Sequence, residues 1–316
     1  MALAILLILL YHNKGALPEG LLKQAAGFCY VGVDIFFFAS GVGCFFSYLR
    51  ERDPVPFLRR RGARILPAYL PFILVWIVLQ AAGGGITLPA ALANLFGVQG
   101  FLALTPAFNW YVSGMWLSYA LTPWLAPLAE SCDRRWKAIA AVLALLLFSV
   151  AFWGDAQLII MVTRLPVFFV GMLFAAESNR RESLTKAELA LLLALVPVGA
   201  ALVRVSPRFF PAQMWDCGLA WYPMLLMAPG LCVLVAVVSG WLSRLRAGRA
   251  LNRALGALGG VTFEIYLAHF LALEKPPLLF LPLTALFTAL LCGVSRLWGR
   301  LSAQHKPVNK NGVISK

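Results

Sequence analysis

Three ionisable side chains lie within apolar stretches of this sequence, where a charge is costly and usually serves a function. His12 ends the first apolar run, Asp34 lies near the start of the second, and His269 lies in VTFEIYLAHF. His12 and Asp34 are predicted at the same depth of a membrane. Because a carboxylate beside an imidazole fixes its tautomer and raises its basicity, this pair predicts a general base.

Each of these residues also has a structural interpretation. A single histidine at the end of an apolar helix can cap that helix at the membrane interface, as His12 would. A carboxyl group such as Asp34 can instead make a hydrogen bond between packed helices. The sequence leaves both alternatives open.

An arginine cluster in FLRRRGARILPAYL follows the second apolar run, and it has two possible roles. Arg59, Arg60, Arg61 and Arg64, with Tyr69 close behind, can set membrane topology and bind anionic headgroups. Arginine side chains also bind phosphate in a bidentate manner, so the cluster can hold a phosphorylated cytosolic donor such as coenzyme A. The residues favour neither role.

Four further side chains are candidates for a site. Arg164 begins RLPVFFVG and is either a site residue or an anchor that reaches the interface. Trp110, and Tyr111 beside it, are typical of an interfacial aromatic belt. Tyr266 shares a helical face with His269, whereas Glu264 is predicted on another face and nearer the membrane midplane, with its role open.

The composition predicts that lipid solvates most of the chain. Hydrophobic residues make up 61% and charged residues 13%, and mean hydropathy is +0.82, whereas soluble domains average about 25% charged. The apolar runs predict an all-α polytopic membrane protein of about ten helices. These are expected near 1–12, 28–49, 64–82, 109–129, 136–153, 158–177, 187–203, 219–242, 256–273 and 278–299.

The basic residues predict how these helices are oriented. Alternating the helices across a membrane places 21 of the 27 Lys and Arg residues on one face. By the positive-inside rule this face is cytoplasmic, and so are both termini. Because the basic residues lie in short clusters between apolar runs, nucleic-acid binding is not expected. One cell-membrane domain is predicted over 1–303, followed by a basic tail over 304–316.

Other patterns bear on packing and on cofactors. Ala39, Gly43 and Ser47 recur at every fourth position, which predicts a small-residue face for close helix packing. The six cysteines show no metal-ligand spacing, and no Walker A or GxSxG motif occurs. No metal and no resident cofactor are therefore expected.

Taken in order, LLYHNKG, VGVDIFFFASG, FLRRRGARILPAYL, FNWYVSGMWLSYALTPWL, RLPVFFVGM and TFEIYLAHF resemble the membrane acyltransferase 3 family. The resemblance implies an integral membrane enzyme that transfers an acyl group to a hydroxyl of a surface or exported glycan. The donor it implies is a cytosolic acyl-CoA, usually acetyl-CoA. Members commonly have an arginine eleven positions before the first histidine, where this chain has Met1.

The resemblance also implies roles for individual residues. His12 matches the family's catalytic histidine, and Asp34 matches the aspartate of its GVDxFF motif. The arginines of RRxxRI match the segment associated with donor binding, and Tyr69 is the tyrosine that follows it. Arg164 matches the arginine that opens the sixth helix, and His269 the histidine of IYLxH.

Two other functions are compatible with the residues. In a proton-coupled transporter or a lipid or glycan flippase, the acid and histidines would form a proton relay, but no internal repeat is seen. The chain could also be a non-catalytic membrane partner of a glycan assembly system. The oligomeric state and the acceptor are not encoded in any motif that we recognise.

Overall fold

A computed structural model describes residues 1–102, 110–132, 135–150, 156–181, 183–209, 222–273 and 275–304. Within these ranges every regular element is a helix, which confirms the all-α prediction. The α-helices, numbered along the chain, are α1 (Ala2–His12), α2 (Leu21–Gly27), α3 (Val31–Leu49), α4 (Pro54–Ala82), α5 (Leu88–Leu95), α6 (Gln99–Leu102), α7 (Trp110–Ser131), α8 (Arg135–Val150), α9 (Ala156–Val162), α10 (Leu165–Arg180), α11 (Lys186–Val205), α12 (Tyr222–Leu242), α13 (Arg246–Gly260), α14 (Thr262–Phe270) and α15 (Pro277–Gln304).

Several helices are long and apolar enough to cross a membrane. In the described parts of the chain there are six such segments: Leu21–Leu49, Pro54–Ala82, Leu158–Arg180, Lys186–Val205, Tyr222–Leu242 and Pro277–Arg300. α1 is apolar but has 11 residues, whereas a hydrocarbon core needs about 20. A multi-pass membrane protein is therefore supported, while ten crossings and cytoplasmic termini stay predictions.

The centre of the fold is the crossing of α3 and α10. A side chain at Gly41 would overlap the backbone carbonyl of Phe168, and one at Gly171 would overlap that of Phe38. The two backbones are therefore in direct contact, which only glycine permits. This crossing fixes the position of α3, the helix that carries Asp34.

The predicted packing role of the small residues on α3 is wrong. Nothing lies within 4 Å of a Cβ atom built at Gly43, and Ala39 and Gly43 line a cavity instead. Gly41 is two positions away, which is about 200° around the helix. A repeat of small residues thus marks a narrow face, but the sequence does not say whether a helix or an open space adjoins it.

The arginine cluster lies on a helix and not in a turn before one. α4 begins at Pro54, about ten residues earlier than predicted, because Asp53 caps it by accepting a hydrogen bond from the backbone N–H of Val55 at 2.9 Å. Proline is favoured at the first helical position, where its missing N–H costs nothing.

This early start determines which arginines act together. Arg64 lies four positions after Arg60 and three after Arg61, so the three arginines share one face of α4. Arg59 precedes them on a different face and is exposed. The helical register therefore divides a cluster that looks uniform in the sequence.

The predicted helix over 256–273 is wrong as a single element, because it comprises parts of α13 and α14, with a break at Val261. α13 is amphipathic, with arginines on one face and leucines on the other, which is typical of a helix at a membrane surface. The residues that set this pattern are Arg246, Arg249, Arg253, Leu251, Leu255 and Leu258. α14 follows after two glycines and carries His269.

The break also determines where Glu264 lies in the fold. It is in the first turn of α14, close to α13, and its position near the membrane midplane stays a prediction. A carboxylate in this position is stabilised by the positive end of the helix dipole.

Two connecting segments and the tail were also predicted features. Part of the segment over 83–109 forms α5 and α6, in which Asn94 and Gln99 are fully buried. The remainder of it, most of the segment over 206–218, and positions 305–316 of the tail lie outside the described residues.

Candidate active site

The two candidate histidines meet in the structure. His12 ends α1 and is exposed, whereas His269 lies near the end of α14 and is fully buried. Their ring centroids are 5.0 Å apart. The site therefore contains one imidazole that a substrate can reach, in contact with a second one that is shielded from water.

A backbone hydrogen bond fixes the tautomer of His269. Its Nδ1 contacts the backbone carbonyl of Tyr266, and a carbonyl oxygen can only accept a hydrogen bond. In the neutral ring Nδ1 therefore carries the proton, and Nε2 has a free lone pair. Nε2 is buried and has no hydrogen-bond partner among the described residues, so His269 is arranged as a base.

Asp34 pairs with Arg164 and not with His12, so the predicted carboxylate–imidazole pair is wrong. An oxygen of Asp34 lies 3.3 Å from Nε of Arg164, and the side chains are 0% and 1% exposed. The guanidinium of Arg164 also lies over the ring of Trp110, 5.8 Å from its centroid. A fully buried carboxylate needs a permanent cation nearby, and arginine supplies one more reliably than an imidazole does.

This pairing changes the interpretation of two residues. Arg164 is not an interfacial anchor, because its side chain is buried at the start of α10. Asp34 connects α3 to α10 through this ion pair. We therefore regard it as a positioning residue.

Two tyrosines continue the line of rings away from the histidines. The ring centroid of Tyr266 is 5.2 Å from that of His269 and 4.5 Å from that of Tyr111. Tyr111 was predicted to belong to an aromatic belt, but it is only 7% exposed. The four rings thus form a continuous row from the exposed His12 into the bundle.

A cavity of about 260 Å³ begins where this row ends. Tyr111 and Tyr266 form its inner wall, and Met1 borders it at the start of α1. Since α1 has 11 residues and rises about 1.5 Å per residue, Met1 and His12 are about 16 Å apart. Further lining residues are Ala39, Ser40, Gly43, Arg61, Arg64 and Glu264.

A second cavity, of about 370 Å³, lies beside the first and is surrounded by arginines. Both cavities are lined by Gly43, Arg61 and Arg64, so they adjoin there. We call the second cavity the arginine mouth; it is lined by Gly43, Ser47, Arg50, Arg60, Arg61 and Arg64.

The arginines of the mouth differ in their contacts. Arg60 pairs with Glu51 at 2.6 Å, and Arg61 donates to the carbonyl of Gly43 at 2.9 Å. Arg50 and Arg64 form no ion pair within the described structure. Guanidinium groups with free donors around one concave surface can bind phosphate groups.

The structure does not bring all the predicted residues to this site. Arg59 does not line the mouth, and Tyr69 is buried, with its hydroxyl donating to the backbone carbonyl of Asn94. Several lining residues were missed by the sequence reasoning, among them Arg50 and Tyr111. Arg50 was interpreted only as part of the positive charge that sets membrane topology. Tyr111 was interpreted only as a residue of the interfacial aromatic belt.

Comparison with known proteins adds a family to this geometry. The model of the acyltransferase 3 family, described as an acyltransferase domain, matches residues 2–301. Neither the curated proteins nor the solved structures that were searched gave a match.

Proposed function

Because this chain belongs to the membrane acyltransferase 3 family, we propose that it moves an acetyl group from cytosolic acetyl-CoA to a hydroxyl of a cell-surface or exported glycan. One observation carries the proposal. The arginine mouth, the adjoining cavity, the tyrosines and the two histidines follow one another through the bundle. This order suits a donor and an acceptor that approach from opposite sides.

The arginine mouth suits the phosphates of coenzyme A. Bidentate contacts from guanidinium groups are well matched to phosphate oxygens. The cavity beyond the mouth would take the extended arm that carries the thioester, and its narrow wall of Ala39, Ser40 and Gly43 leaves room for that arm.

The charge distribution supports the orientation. Most basic residues are predicted on the same membrane face as the arginine mouth, and the positive-inside rule assigns such a face to the cytosol. The termini and the donor would be on this side, and His12 would face outward, where an exported glycan passes.

The two histidines would supply the base. The exposed imidazole would accept the proton of the acceptor hydroxyl. The hydroxyl oxygen would form a bond to the acyl carbon, and the carbon–sulfur bond of the thioester would break. The departing thiolate then receives that proton, so ester and free coenzyme A are the products. The same residues would also allow the acyl group to rest briefly on an imidazole nitrogen.

Removing two arginines from the mouth should weaken donor binding. In the variant with Arg61→Gln and Arg64→Gln, we expect the Kd for coenzyme A to rise about ten- to hundredfold per side chain, as for hydrogen bonds to charged groups. Calorimetry on the purified protein would measure this Kd. Arg59→Gln is the matched control, because Arg59 lies outside the arginine mouth. Unchanged affinity in the double variant would leave these arginines with a topology role alone.

A larger side chain at Gly43 should block the passage between the two cavities. Gly43→Leu places its side chain in open space, so we expect donor binding to be lost while the protein remains folded. Its thermal stability should rise slightly, because a glycine inside a helix costs about 0.5–1 kcal/mol.

Two controls accompany this substitution. Gly240→Leu also enters open space, but Gly240 lines neither cavity, so donor binding should persist. Gly43→Ala should have an intermediate effect. If Gly43→Leu bound coenzyme A as tightly as the unmodified protein, the donor would have to take another route.

Incubation of the purified protein with acetyl-CoA labelled in the acetyl group, together with envelope glycans, tests the proposed function. We expect release of free coenzyme A and label on the glycans. Transport of substrate without thioester cleavage would favour the transporter or flippase alternative. If the protein showed no thioester turnover and no transport, a non-catalytic membrane partner would be favoured.

A further inference from the structure

Two tyrosines at the inner end of the cavity are largely buried, and neither hydroxyl makes a hydrogen bond within the described structure. Tyr111 is 7% exposed and Tyr266 is 3% exposed, and both line the cavity. Polar groups enclosed by a fold usually have a partner, because leaving them without one is costly. The cavity itself is the place for that partner.

Packing alone does not explain the hydroxyls. Phe36 and Phe37, which contact Tyr111, provide aromatic packing without a polar group. Elsewhere in the fold the buried tyrosine hydroxyls are used: that of Tyr48 donates to the carbonyl of Arg52 at 3.3 Å, and that of Tyr69 also donates to a carbonyl.

The position of the pair distinguishes it from the third tyrosine of the cavity. Tyr119 lies about two turns further along α7 and contacts Arg61 near the mouth. Tyr266 contacts His269, and the rings of Tyr111 and Tyr266 are 4.5 Å apart. Hydroxyl oxygens up to about 5 Å apart can donate to one shared oxygen, since each O–H···O distance is near 2.7 Å.

We propose that the hydroxyls of Tyr111 and Tyr266 bind the carbonyl oxygen of the acyl thioester and stabilise the oxyanion that forms on it. This inference rests on the proposed function, and it identifies where the reacting carbon lies: at the end of the cavity that Tyr111 and Tyr266 line, next to the tyrosine that contacts His269. Both tyrosines are then catalytic residues, although neither takes up or releases a proton.

The reaction step assigns each electron pair. The nucleophile forms a bond to the carbonyl carbon, and the carbon–oxygen π pair moves onto the oxygen. Two phenolic O–H groups, fixed in position by the packing of their rings, donate to this oxyanion and stabilise its charge. Collapse restores the double bond and breaks the carbon–sulfur bond, and the thiolate leaves with the proton that an imidazole took from the acceptor.

Tyr111→Phe and Tyr266→Phe test the kinetic part of this proposal. Each removes one hydroxyl and keeps the ring, so we expect kcat to fall about 10²–10³-fold, as for loss of one oxyanion donor, while KM for acetyl-CoA rises much less, by about 2- to 10-fold. Tyr48→Phe is the matched control, because Tyr48 lies outside both cavities. Normal kcat in both cavity variants would overturn the proposal.

A binding measurement gives a second test that needs no acceptor. The unmodified protein should bind acetyl-CoA more tightly than coenzyme A, because only the former has the carbonyl. Each Phe substitution should reduce that ratio about 2- to 10-fold and leave the affinity for coenzyme A unchanged. A ratio that both substitutions leave unaltered contradicts the tyrosine assignment alone, whereas failure of the unmodified protein to bind either compound contradicts the proposed function.

Discussion

Replacing His12 with alanine is expected to reduce acyl transfer about 10²–10⁴-fold, the usual contribution of a positioned general base. His12 is the exposed member of the histidine pair, so it is the imidazole that an acceptor hydroxyl can reach. The measurement is release of free coenzyme A from labelled acetyl-CoA by the purified variant.

The level of the His12→Ala variant in membranes should be normal, since an exposed side chain at a helix end contributes little to stability. Affinity for coenzyme A should also be kept, because the donor phosphates are expected at the arginine mouth. If the variant transferred acyl groups at nearly the normal rate, His12 would not be the base, and His269 would be the next candidate.

Replacing Arg164 with leucine is expected to give the largest loss of stability. It leaves the carboxylate of Asp34 buried without a counter-ion, and breaking a buried pair in this way costs about 3–5 kcal/mol. We expect a clear fall in the thermal unfolding midpoint in detergent. Activity should fall with it, because the pair joins α3 to α10, the two helices that cross at the centre of the fold.

Two comparisons isolate the charge effect. Removing both charges, with Asp34→Asn and Arg164→Gln together, should restore part of the lost stability, since no unpaired charge remains. Arg52→Leu breaks an exposed ion pair with Glu130, for which less than about 1 kcal/mol is expected. Equal, small effects of Arg52→Leu and Arg164→Leu would contradict the structural role of the buried pair.

Much of the membrane architecture could be predicted from the sequence because hydrocarbon imposes simple rules. Apolar runs near the length of a bilayer identify helices, and most of the predicted helices appear close to their expected bounds. The predicted helix over 256–273 was wrong as a single element because two glycines interrupt the run and its first part continues the arginine-bearing helix α13. A hydropathy pattern does not distinguish one crossing helix from a surface helix followed by a short one.

The contacts within the site were harder to predict. His12 and Asp34 were expected at a common depth, but depth does not determine which neighbour a side chain faces. The rotation of α3 directs Asp34 to Arg164, and that rotation is set by the contact at Gly41. Gly43 was assigned to helix packing because the sequence does not reveal which side of α3 another helix contacts.

The tyrosine pair shows another limit. Aromatic residues at the start of an apolar helix are usually interfacial, so Tyr111 gave no sign of its position inside the bundle. Its contact with Tyr266 joins residues far apart in the chain. Only the packing of α7 against the other helices reveals the contact.

The central claim is that donor and acceptor react from opposite sides of the membrane, and sidedness of transfer in vesicles tests it most directly. The protein would be reconstituted with labelled acetyl-CoA sealed inside and envelope glycans outside, with His12→Ala vesicles as the control. We predict acetyl ester on the outer glycans and free coenzyme A inside, neither of which should form in the control. Label that appeared only when acetyl-CoA and glycans shared one compartment would contradict the account.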